Sequence, residues 1–245
     1  MEQGFNSLDQ YDEHRPQYGS VDLKFDPHQF LQEALDTWSS PQAKRSGRND
    51  FNRFNSVGTD TKHYLSEYFN NKLQLDYDWN WEYFHSGEPA GLHTDYVSFP
   101  NSWKPNKEYI THDCYLVLGV IIPMQWTCKQ PYTVNYTRTS TVPRKLIYKQ
   151  GEMRYTDNNE VFEYRGSKQW DPLVEQYNPR GTQYYGEYED LEFHSAYEWK
   201  VGTAMLFDTA RWHSSSWYLS TNQLPEQSTE YKRSIIGFAS IDVDR

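Results

Sequence analysis

With 245 residues, the chain is long enough for one large domain with a full core and too short for two generous ones. It carries 21 Tyr, 12 Phe and 9 Trp on a polar background, with 13 Gly and 12 Pro, a composition that favours many strands joined by turns and argues against disorder. The net charge of −10 counts against a general nucleic-acid binder, whose phosphate contacts need clustered Lys and Arg, although one local basic groove stays open.

Along the chain, the first 25 residues read as a polar irregular arm, with a strand near Val21–Lys24. No apolar core of a signal peptide is visible there. Asp26-Pro27-His28-Gln29 is a helix start, with Asp at the N-cap and Pro at the first helical position. Phe30, Leu31, Leu35 and Trp38 then recur at helical spacing, and Ser39-Ser40-Pro41 closes the pattern. Residues 43–58 are basic and rich in Gly and Asn, a loop by composition. A second helix is expected after Asp60, with Tyr64, Leu65, Tyr68 and Phe69 on one face.

From Leu75 the period changes to two. Tyr77, Trp79, Trp81 and Tyr83 alternate with polar residues, and an extended segment resumes at Gly91–Val97. Cys114–Gln125 reads as a buried strand, and its longest apolar run, Leu116–Met124, is too short to span a bilayer. The two cysteines, Cys114 and Cys128, make neither a metal spacing nor a disulfide framework, so a soluble protein of the reducing cytoplasm is expected, with no membrane partner. Residues 127–190 are polar and tyrosine-rich, with strand signals only at Lys145–Tyr148 and Val161–Tyr164. They read as an insertion that shapes a site. Strands are expected over Glu192–Trp199 and Thr203–Phe207, broken at Val201-Gly202, and finally over Lys232–Asp242. Two helices followed by many strands fit a mainly β fold with flanking helices, a double-stranded β-helix or jelly roll. One domain is expected over 1–245, with 1–74 as helical support and 75–245 as the core.

The chemistry concentrates at His93-Thr94-Asp95 and at His213, far downstream. On a strand, residues two apart share a face, so His93 and Asp95 point the same way. Two histidines and one carboxylate are the ligand set that holds Fe(II) on three positions and leaves three open. His112 and His194 compete with His213 for the third place. His14, His28, His63 and His85 read as structural or exposed.

These pieces resemble the Fe(II)/2-oxoglutarate-dependent dioxygenases. The matching parts are His93-Thr94-Asp95, then Gly202–Asp208 leading to His213, then the basic strand Lys232–Phe238. The resemblance implies a cupin-like jelly-roll core in which His93, Asp95 and His213 bind iron(II). It also implies 2-oxoglutarate as co-substrate, its distal carboxylate held by Arg233, with O2 as oxidant and succinate as product. Asp95 favours hydroxylation or desaturation, since related halogenases replace that carboxylate by a small residue. On alternation Arg233 shares a face with Ile235, Gly237 and Ala239, and the small residues there, Gly237 and Ala239, leave room for a cofactor; a one-residue slip would give that role to Lys232. The stretch between His213 and Arg233 is longer than the family's usual connection, and Ser220–Thr229 suits a looped-out hairpin. Tyr115 and Trp126 flank the apolar strand as further candidates to line the pocket. Trp212 and Trp217 flank His213, where shielding the metal or ordinary packing would explain them.

The expected substrate is a small molecule or a side chain on a peptide. Three other readings stay open: a nucleobase demethylase of the same chemistry, which the acidic charge disfavours; a metal-binding jelly-roll module without catalysis; and a zinc hydrolase, for which no placed general base is visible.

Overall fold

Two facing antiparallel sheets, one of nine strands and one of three, organise the computed structural model. It describes residues 19–39, 44–46, 52–74, 76–87, 89–90, 114–139, 145–149, 152–155, 172–177, 192–207, 209, 211–216, 218 and 229–242, with backbone alone for several strand ends and short strands.

The chain enters through β1 (Gly19–Asp22). A 3-10 turn over Pro27–Phe30 then runs into α1 (Leu31–Ser39). Asp26 caps that turn, its carboxylate accepting from the His28 N–H, as the sequence predicts. The loop expected over 43–58 instead holds two short strands, β2 (Lys44–Ser46) and β3 (Asn52–Ser56). They add to the edge of the large sheet, where pairing to a neighbour overrides composition. Next comes α2 (Thr59–Leu73), which ends on Gln74 in the left-handed conformation (φ 55°). β4 (Asp78–Ser86) follows, and then β5 (Cys114–Trp126), β6 (Tyr132–Thr139), and the hairpin of β7 (Lys145–Lys149) with β8 (Glu152–Tyr155). The last elements are α3 (Pro172–Tyr177), β9 (Phe193–Glu198), β10 (Thr203–Phe207), β11 (Arg211–Ser215) and β12 (Lys232–Asp242).

The large sheet runs β1-β10-β5-β12-β4-β3-β2, with β7 and β8 attached to β5. The small one runs β11-β6-β9. Neighbours in space are distant in sequence, so the chain crosses repeatedly between sheets, as a jelly roll requires. β6 therefore belongs to the core, and the expected insertion at 127–190 shrinks to what lies between β6 and β9. Of that insertion, Val161–Tyr164 lies outside the described residues, as do Gly91–Val97 and most of Ser220–Thr229.

One face of the large sheet is covered by helices. Trp79, Trp81 and Tyr83 of β4, Leu118 to Met124 in alternation on β5, and Ile235 and Ala239 of β12 pack against Trp38, Leu65 and Phe69. The indoles are anchored as well as buried, since Trp79 Nε1 donates to Asn70 Oδ1 at 2.7 Å and Trp81 Nε1 to Ser66 Oγ at 3.1 Å. The other face looks across to the small sheet. Among the described residues no helix is long and apolar enough to cross a membrane.

Candidate active site between the two sheets

Alternation decides which side chains enter the space between the sheets. On β11, His213 and Ser215 share a face. His213 is buried, and its ring lies 4.7 Å from that of Phe207 on β10, in the opposite sheet. Phe207 reaches that position because Gly119 of β5 offers no side chain beneath it; a Cβ there would overlap the phenyl ring. In the small sheet, His213 pairs with Asn135 and Ser215 with Thr133, so those two residues of β6 face the same space.

Lys232, the first residue of β12, also enters it. Its side chain is 3 % exposed, and its ammonium donates to Ser215 Oγ, two residues from His213. The Nζ sits 4.5 Å from the ring centre of Trp199 and 5.1 Å from that of Tyr218, both cation–π distances. Trp199 is fixed by donating through Nε1 to Thr133 Oγ1 at 3.1 Å, and the Tyr218 hydroxyl lies 3.2 Å from Ser86 Oγ. Among the described residues Lys232 has no carboxylate partner. Burial pushes its ammonium down from 10.5 to about 7, a little offset by the Cys128 thiol nearby, which burial in turn pushes up to about 11.

Arg233 points the other way. Its guanidinium donates through Nε to His85 Nδ1 (3.1 Å) and through Nη1 to Gln125 Oε1 (2.8 Å). It also stacks on Tyr231 (4.2 Å) and Trp38 (5.2 Å). The face it shares with Ile235, Gly237 and Ala239 is the helix-covered one, and the room at Gly237 is filled by the Trp81 indole, so it holds no cofactor space. The register thus assigns the inward position to Lys232, with a bulge against β5 between Arg233 and Ser234.

His93 and Asp95 lie outside the described residues, as do His112 and Trp217. Ala90 accepts a backbone hydrogen bond from Ser215 N at 3.0 Å, which ties Ala90 beside β11. Among the described residues no group of three His, Cys, Asp or Glu is arranged to hold a metal. His194 is exposed on β9, with Nδ1 2.9 Å from Ser195 Oγ. For Tyr115 and Trp212 only the backbone is described, Tyr115 pairing with Ile241 and Lys145. Trp126 is half-buried, edge-on to Trp199 at 6.5 Å. Sequence reasoning missed Ser215, Thr133, Asn135, Trp199 and Tyr218. Only Ser215 carried a signal, the period-two spacing from His213.

No family model matches the chain, and no curated protein does. Solved structures do. The non-heme alpha-ketoglutarate-dependent epimerase SnoN from nogalamycin biosynthesis is 12 % identical, with 96 % of this chain and 84 % of SnoN covered at a TM-score of 0.51. The same epimerase in complex with Fe3+, alpha-ketoglutarate and nogalamycin RO is 11 % identical, covering 96 % of this chain and 85 % of SnoN at a TM-score of 0.52. At that identity the likeness speaks for the backbone: this chain has the jelly-roll fold of that 2-oxoglutarate- and iron-dependent enzyme.

Proposed function

We propose that the chain is an iron(II)- and 2-oxoglutarate-dependent oxygenase that hydroxylates a small molecule or a peptide side chain. The observation that carries the reading is Lys232, a buried amine with no carboxylate among the described residues, held two residues along β11 from His213. A buried, uncompensated ammonium is costly, and an anionic ligand removes that cost. The distal carboxylate of 2-oxoglutarate suits it. A charge-assisted hydrogen bond to that carboxylate contributes about 1.5–3 kcal/mol. Ser234 Oγ, buried on the same face of β12 and without a partner, offers a second hydrogen bond.

The residues fit the metal too. His213 faces the inter-sheet space, and three extended residues from Ala90 span at most about 10 Å, a length that permits His93 to reach it. His93, Asp95 and His213 would hold the iron in the two-histidine, one-carboxylate arrangement. With O2 and 2-oxoglutarate, iron held there supplies the oxidising chemistry, and succinate and CO2 leave. The protein's own part is to dock the ketoacid by Lys232, wall it with Phe207, Trp199 and Tyr218, and keep water out. We place α1 and α2 as the helical support of this single domain, with β1, β2 and β3 from the same part of the chain joining its large sheet.

The test is an anaerobic titration of apo-protein with Fe(II) and then 2-oxoglutarate, following the visible metal-to-ligand charge-transfer absorption of the chelate. Its appearance at one equivalent is the expected result. Iron binding without it would leave a metal-binding module and overturn the oxygenase.

A further inference from the structure

Asn135 is the residue of this site whose chemistry is unanswered. β6 alternates cleanly: Tyr132, Val134 and Tyr136 pack outward with Tyr177 and Phe193, while Thr133 and Asn135 turn inward. Thr133 is occupied by the Trp199 indole. Asn135 is 2 % exposed and in register with His213, yet neither its Oδ1 nor its Nδ2 has a hydrogen-bond partner. Buried amides are almost always paired, so an orphan of this kind at a ligand site marks a missing partner. Of the nearby polar groups, Ser234 Oγ is also unpaired and belongs to the carboxylate contact proposed above, whereas two others have partners. Ser215 holds Lys232, and Ser86 lies against Tyr218.

An amide offers two donors on nitrogen and one acceptor on oxygen. A carboxylate answers only the donors, and the oxygen needs a hydrogen supplied from elsewhere, for which a metal-bound water is suited. We propose that Asn135 is a ligand-contacting residue that bridges the metal and the ketoacid at His213, its Nδ2 donating to a carboxylate oxygen and its Oδ1 accepting from a water on the metal. This rests on the oxygenase reading above and adds a residue to it.

The experiment uses the full chain with Mn(II) as an inert stand-in metal, and measures the apo melting temperature, the Mn(II) affinity and the 2-oxoglutarate affinity separately. In Asn135→Leu the orphan amide is gone, so the apo-protein should melt about 2–4 °C higher, while both ligands bind at least tenfold more weakly. Asn135→Asp keeps the acceptor and loses the donor. It should hold Mn(II) at least as well as wild type and bind 2-oxoglutarate at least tenfold more weakly. A purely structural role would lower the melting temperature of Asn135→Leu, and that result overturns the proposal. So does an Asp variant that binds 2-oxoglutarate like wild type. If wild type itself gives no metal-dependent response to 2-oxoglutarate, the oxygenase reading fails and takes this inference with it; a normal wild-type response with unaltered variants fails the inference alone.

Discussion

Lys232 titrates well below an ordinary lysine for one physical reason: its surroundings are two aromatic rings and a hydroxyl in place of water. Its pKa falls from 10.5 in the unfolded chain to about 7 in the folded one. Between those values the unfolded state binds the extra proton, so folding stability rises with pH there, by up to about 1.4 kcal/mol per unit. Below about pH 7 both states are charged and the full penalty applies. Lys232→Met should therefore stabilise the apo-protein most below pH 7, with the gain fading towards pH 10.5. Chemical denaturation at pH 6 and pH 9 measures this, and an equal effect at both would contradict it. Arg233 differs because its guanidinium meets a histidine, an amide and two ring faces, a packed and bonded position of structural kind.

At the scale of elements, two close approaches set the site. Phe207 lies over Gly119 on one side and against His213 on the other, so β5 positions the histidine of β11 through a single ring. Gly119→Ala should push that ring towards His213 and weaken metal binding at least tenfold, read by Mn(II) titration; unchanged affinity would show that the ring does not govern the histidine. The helical layer is joined by Glu33 of α1, which accepts from Gly58 N at 2.5 Å and from Thr61 Oγ1 at 2.6 Å at the start of α2. Gly58 has no side chain to cap α2, and Glu33 does it from another helix. Glu33→Ala should cost about 1–2 kcal/mol in urea unfolding, with no change in ligand affinity; unchanged stability would remove the capping role.

Over the whole molecule, what was legible in the sequence was what periodicity and caps encode. Asp26-Pro27 marked the first helical turn, the alternating tryptophans marked β4, and Thr203–Phe207 appeared with the bounds expected. β6 does carry a period of two in Tyr132, Val134 and Tyr136, a short signal submerged in a long polar, tyrosine-rich stretch. β2 and β3 were not legible because their residues are mostly polar and owe their strand form to partners in the sheet. The same reason hid most of the site: Trp199, Tyr218 and Asn135 come together only through the crossing of the two sheets. The inward face of β12 turned on a single residue of register. Sequence alternation put Arg233 and Lys232 on opposite faces correctly, yet nothing local said which face the helices cover.

The face of β12 that Lys232 occupies decides how the site would hold its co-substrate. Isothermal titration of 2-oxoglutarate into Mn(II)-loaded wild type, Lys232→Met and Arg233→Ala tests it directly. Arg233→Ala should keep wild-type affinity and Lys232→Met should lose at least tenfold, as expected for a lost charged hydrogen bond. Binding that survives in Lys232→Met and disappears in Arg233→Ala would contradict it.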